Sequence, residues 1–237
     1  MSNLINMLKT TLPKYVTEQP STRKKIKFRP FTVREEKILL MSNQTGTYED
    51  FLFTLSDVIN NCFELNTDSK KLPIFDIEYF FLVLRSKSIG EIIEPTVICP
   101  ITQEKINLTI NLDDIKPIYD NTHNREFVIN NEIKITMRYP SLEYMALEKP
   151  EDYYEILIDC IDKIETKDEI IEYTNTSREL LKEFVDNLTQ IQFQKMIDFL
   201  KTMPKLEKEI KYKTSDGVER SLTLKGLQDF FQSASAT

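Results

Sequence analysis

The stretch Thr176–Phe231, TSRELLKEFVDNLTQIQFQKMIDFLKTMPKLEKEIKYKTSDGVERSLTLKGLQDFF, decides the fold class. Leu180, Leu181, Phe184, Val185 and Leu188 recur at the spacing of one helical face, and Ser177 stands where an N-cap would. Glu179 and Glu183 sit toward the positive end of that helix, where carboxylates are favoured. Thr189 or Gln190 opens a second helix, with Phe193, Met196, Ile197 and Leu200 at i, i+3, i+4 and i+7. Pro204 lacks an N–H and disfavours helical geometry in Met203, so the helix must stop there. Ile210 and Tyr212, then Ser215-Asp216-Gly217, then Val218, Leu222 and Leu224 spell two strands around a turn in which glycine supplies a positive φ. Leu227, Phe230 and Phe231 form a short amphipathic cap, and SASAT reads as a frayed terminus. Helices followed by a hairpin predict an α+β fold.

Working outward, 237 residues allow one large domain or two small ones, and a chain of this length buries roughly 70% of its unfolded surface. A charged fraction of 29% beside 41% hydrophobic residues is that of a globular chain. The net charge of −7 argues against nucleic acid as a partner, because affinity for phosphate needs clustered Lys and Arg. Four glycines and no G-x-G-x-x-G or P-loop pattern leave nothing to cradle a nucleotide. No run reaches the ~18 apolar residues of a membrane span, so no membrane role is expected. Three scattered cysteines, Cys62, Cys99 and Cys160, with no apolar leader predict buried thiols in a reducing compartment.

Residues 1–25 read as an N-terminal arm, a weak amphipathic turn broken by Pro13 that either drapes over the domain or a partner or is simply mobile. Residues 26–91 form a helical part. A short strand with Ile26 and Phe28 on one face leads to a capping box at Thr32 and Glu35. The helix so opened carries Ile38, Leu39, Leu40 and Met41. A second helix, 47–62, aligns Phe51, Leu52, Leu55, Val58, Ile59 and Cys62, and a third, capped by Asp76 and stopped at Gly90, is dense enough in apolar residues to be the most buried. Residues 92–140 read as a β-hairpin part, with strands 96–99 and 106–112 and strands 125–129 and 133–137. Residues 141–231 read as helical with a C-terminal hairpin and cap, including a helix from 150 whose face runs through Tyr154, Ile156, Leu157, Cys160 and Ile161, and 232–237 as a tail.

Candidate chemistry is thin. Cys99-Pro100-Ile101-Thr102 looks like half of a zinc knuckle with a threonine in place of the second thiolate, and tetrahedral zinc needs four N or S ligands. A buried structural Cys99 is the favoured reading, and no metal or other cofactor is expected. The acidic residues Glu148, Glu151, Asp152, Glu155, Asp159, Asp162, Glu165, Asp168 and Glu169 alternate with an apolar face and read as solvated, whereas acid–base work needs carboxylates in unlike environments. His123, in YDNTHNR, reads as an exposed loop residue with no nucleophile beside it. No catalytic residue is expected.

Four pieces, IKFRPFTVREEKILLM (26–41), FDIEYFFLVLRSKSIGE (75–91), CIDKIETKDEIIEYTNTSRELLKEFVDNLT (160–189) and FLKTMPKLEKEIKYKTSDGVERSLTLKGLQDFF (199–231), resemble the baseplate hub assembly family of T-even-type contractile-tail bacteriophages. The resemblance implies a non-enzymatic protein of virion morphogenesis, acting as structural subunit or assembly chaperone when the central hub is built. Its implied partners are other baseplate hub and tail proteins, the tape measure protein among them, in the virion tail baseplate or in the host cytoplasm during assembly. In that family a second cysteine often follows the first in the Cys99 hairpin. Thr102 stands there in this chain, and the hairpin at Lys211-Tyr212-Lys213 has no cysteine. Candidate partner contacts are Phe28, Arg29, Phe31, Leu227, Phe230 and Phe231, at the two motif-bearing ends; the competing reading places these phenylalanines in the core. The alternative function is a degenerate zinc-ribbon-like adaptor for nucleic acid or protein.

Overall fold

The computed structural model describes residues 11–142 and 153–227. Two compact units divide the chain, Met1–Ile118 with Lys205–Thr237 and, inserted between them, Tyr119–Pro204. The insertion leaves and rejoins the first unit at an antiparallel bridge in which Ile118 and Lys205 exchange both backbone hydrogen bonds.

In the first unit, strand Tyr15–Glu18 pairs antiparallel with Lys25–Phe28, so part of the expected N-terminal arm is a strand. Helix α1 spans Val33–Thr45, α2 spans Tyr48–Cys62 and α3 spans Ile74–Ser88. The predicted start of α1 and both predicted ends of α2 hold, and each helix is opened by a capping box, at Thr32 with Glu35 and at Thr47 with Asp50. For α3 the cap differs. Pro73 precedes the first turn, and the buried Asp76 lies inside that turn with its carboxylate bound to Gln19 and Ser21. Proline suits this end because its missing N–H would be unpaired anyway.

The core of this unit begins as an aromatic stack. Phe28 lies 4.8 Å from Phe63, and Phe63 lies 4.5 Å from Phe80, ring centre to ring centre. Leu55, Ile59, Ile77 and Leu84 are fully buried around it. Burying each such side chain contributes about 1.5–3 kcal/mol. Beyond α3, the hairpin of Thr96–Ile98 with Lys105–Asn107 continues into a second short pair, Ile92–Ile93 with Ile110–Asn111. The longest hairpin is Glu207–Lys213 with Glu219–Lys225, in the register the sequence implies around Gly217 at φ +77°.

The second unit holds a four-stranded antiparallel sheet in the order 170–172, 161–165, 134–137, 126–128. The helix expected to run from 150 through Ile161 is shorter: α4 covers Tyr153–Asp159, and Ile161–Glu165 is a central strand. Ile161 and Ile164 fit helical spacing, but their β-branched side chains oppose Met137 and Ile135 across the sheet, and that pairing wins. Helices α5 (Arg178–Asp186) and α6 (Gln190–Lys201) start at the predicted caps, Ser177 and Thr189. Leu181, Val185, Met196 and Phe199 meet Ile135, Met137, Leu157 and Ile161 in one core. Among the described residues the fold is α+β, helices with small antiparallel sheets of two to four strands.

Candidate functional site

Two hairpin tips of the first unit meet around Cys99. Gln103 donates its N–H to the Cys99 carbonyl, closing the knuckle, and Gln103 adopts φ +59° to do so. In the other tip Gly217 donates to the Thr214 carbonyl. The tips are joined by side chains. Tyr212 donates its hydroxyl to Cys99 Sγ at 3.4 Å, and the Glu104 carboxylate accepts from the Ser215 amide at 3.0 Å. Arg220 forks onto Asp216 at 2.8 and 3.0 Å and also reaches Thr214.

The electrostatics of the three thiols separate cleanly. Cys62 and Cys160 are pushed up to about 12 by burial. Cys99, although without solvent-exposed surface, is held down at about 7. Its sulfur is ringed by the Thr102 hydroxyl, the Thr102 amide, the Tyr212 hydroxyl and the Ile101 amide, all of which favour a thiolate. The knuckle therefore keeps the donors that would serve a metal-bound sulfur. Among the described residues, however, no group of three or more His, Cys, Asp or Glu is placed to hold a metal ion. Thr102 and Thr214 occupy the tips, and Glu104, Asp216 and Arg220 are hydrogen-bonded within them.

A second closed polar site anchors the N-terminal hairpin. Asp76 accepts from Gln19 Nε2 at 2.7 Å, from the Ser21 amide at 2.8 Å and from the Ser21 hydroxyl at 2.5 Å. Burial raises its carboxyl above the usual range, and these donors offset part of that rise. Two residues on, burial lifts Glu78 to about 7, opposed by the Leu227 amide that it accepts from. Gly226, at φ +62°, makes this approach possible, because a Cβ there would lie 2.6 Å from Glu78 Oε1.

The expected contact residues are dispersed by this packing. Phe28 and Leu227 are interior, at 2% and 1% exposure, while Arg29 and Phe31 are half-buried. Arg29 binds Glu35 in two parallel bonds at 2.7 and 3.0 Å and also reaches the Asn61 carbonyl. The Phe31 amide donates to Ser88. Phe230 and Phe231 lie outside the described residues. Arg29 thus fastens the start of α1, with Glu35 also accepting from Thr32.

In the second unit, His123 is not the exposed loop residue expected. Its ring stacks on Tyr139 and Phe199, at 5.6 and 5.3 Å, and both nitrogens are engaged. Thr202 gives its hydroxyl proton to the Asp198 carbonyl, so Nδ1–H donates to Thr202 Oγ1 and Nε2 accepts from the Tyr139 hydroxyl. Burial, with Arg125 nearby, lowers its pKa. Sequence spacing offered no sign of this, since Tyr139 and Phe199 are 16 and 76 positions away.

Part of the acidic run is paired in place. Arg178 binds Glu155 at 2.7 Å and Asp159 at 3.0 Å, and Lys163 lies 3.1 Å from Glu165. Glu148, Glu151 and Asp152 lie outside the described residues.

The outward side of α1 exposes several apolar residues. Val33 is 82% exposed, Met41 56%, Leu40 54% and Ile38 44%, with Leu39 the buried residue of that helix.

No curated protein and no solved structure matches the chain. A family model does, over residues 12–232, through both compact units and all four motif-bearing pieces, and its description is the T4 bacteriophage base plate protein. The chain belongs to that family and is a T4-like phage baseplate protein.

Proposed function

We propose that the protein is a non-enzymatic component used in building the central hub of the baseplate, as structural subunit or assembly chaperone, in contact with hub proteins and the tape measure protein. The observation that carries this is the extent of the family match, which takes in residues 12–232 and so both units. The reading is supported by how the polar side chains are used. Glu104, Asp216 and Arg220 bind within the hairpin tips, Asp76 binds Gln19 and Ser21, and Glu155 and Asp159 bind Arg178. An acid–base pair would instead need carboxylates left in unlike environments with a substrate between them. On this reading the chain is made in the host cytoplasm and meets its partners there.

A degenerate zinc-ribbon-like adaptor is the second reading, favoured by the joined hairpin tips and the lowered thiol of Cys99.

Purification of the tagged full-length chain from infected cells separates the two. The hub reading expects fixed-ratio recovery of hub or tape measure proteins. Recovery of the chain free of tail proteins, or with stoichiometric zinc and nucleic acid, would overturn it.

A further inference from the structure

The solvent-facing side of α1 has the composition of an interface. With 3.6 residues per turn, positions 33, 37, 40 and 44 and positions 34, 38, 41 and 45 form two adjacent rows, both opposite the buried Leu39. Val33 and Leu40 stand in one row, Ile38 and Met41 in the other. Single exposed apolar residues are ordinary, whereas four on one face of a 13-residue helix form a patch.

Charge is distributed just as unevenly. The carboxylates of α1 turn toward the body: Glu35 pairs with Arg29 at 2.7 Å, and Glu36 lies in the field of Arg85. Arg34 and Lys37 sit exposed among the apolar residues and make no ion pair or side-chain hydrogen bond among the described residues. The helix is also held in place before any partner arrives. Arg29 ties its start to the Asn61 carbonyl, and the Ser42 hydroxyl accepts from Thr54 of α2 at 3.0 Å. A fixed surface keeps the ordering cost of association small.

From these features we infer that the outward face of α1 docks a segment of another baseplate polypeptide, one that offers apolar side chains flanked by carboxylates. The inference rests on the baseplate reading and adds a surface and a partner chemistry to it. A second copy of this chain is the poorer occupant. A two-fold contact through α1 would gather Arg34 and Lys37 of both copies into one interface with no carboxylate of that face to meet them. An acidic segment, by contrast, meets local cations on a chain whose net charge of −7 otherwise repels it.

The test uses the full-length chain and the other baseplate polypeptides of the same phage, each purified singly and titrated at two salt concentrations. One of them is expected to bind, more weakly at high salt. L40E/M41E should weaken that binding on the order of 100-fold. R34E/K37E should weaken it and remove its salt dependence, and both variants should keep the wild-type thermal midpoint. Unchanged binding by both variants would overturn the docking inference and leave the baseplate reading standing. If no baseplate polypeptide bound the wild type, both would fall. Self-association abolished by L40E/M41E, or binding to phosphatidylglycerol vesicles in place of any baseplate polypeptide, would also overturn the inference, in favour of a second copy or a lipid surface.

Discussion

The hairpin tips around Cys99 and the outward face of α1 belong to the same unit and treat their polar side chains in opposite ways. At the tips almost every polar group has a partner in the chain: Tyr212 with Cys99, Glu104 with Ser215, Arg220 with Asp216. On α1 four exposed residues are apolar, and the two cations beside them, Arg34 and Lys37, have no ion pair among the described residues. The first arrangement stabilises a fold. The second gains stability only when something covers it, which is the property expected of an assembly surface.

Breaking a closed site should therefore cost folding stability, and the anchor at Asp76 gives the largest effect. Asp76→Ala removes the acceptor of three bonds, from the buried Gln19 amide and from the Ser21 amide and hydroxyl. We expect a loss of about 2–3 kcal/mol in urea denaturation, the range for buried hydrogen bonds to a charged group.

Glu78 sharpens the contrast through pH. Its folded pKa is about 7, raised by burial, against an unfolded carboxyl near ~4.3. Between those values the native state keeps a proton that the unfolded chain has released, so this group's contribution falls as pH rises through that window and stays low above it. Glu78→Gln should abolish that slope and stabilise the protein by about 1–3 kcal/mol at pH 8, since Gln accepts the Leu227 amide without a buried charge. Chemical denaturation from pH 4 to 8 checks both sign and size.

His123 should give a shallower slope of the opposite sign. Its pKa is lowered on folding by burial and by Arg125, so its contribution is whole above the unfolded value near ~6.5 and declines as pH falls through the lower folded value. His123→Gln should flatten the acid limb of the stability curve between pH 7 and pH 5.

The smallest expected effect on stability belongs to the open face. L40E/M41E should stay within about 0.5 kcal/mol of wild type by the same denaturation, as exposed substitutions usually do. A loss comparable to that of Asp76→Ala would mean that the face is covered from within and would break the comparison.

Much of the fold was legible where local signals agreed. Ser177, Thr189, Thr32 and Thr47 marked helix starts, and Gly217 marked a turn, because caps and positive-φ turns are decided by neighbouring residues. The strand at Ile161–Glu165 escaped, because its apolar spacing suits a helix equally well and only the strand at 134–137 settles the matter. Asp76 reads as a cap from its position before an apolar run, yet its partners Gln19 and Ser21 come from more than fifty residues upstream. The proposed docking face on α1 was not legible. The sequence shows that α1 carries Ile38, Leu39, Leu40 and Met41, but a run of apolar residues does not say which of them face outward.

Amide hydrogen exchange of the full-length protein, free and within the purified baseplate assembly, bears most directly on the claim that α1 is the working surface. The account predicts added protection along α1, residues 33–45, on assembly, with the amides of the hairpin tips at 99–104 and 214–218 unchanged. Protection gained at the tips, with α1 exchanging as it does in the free protein, would contradict it.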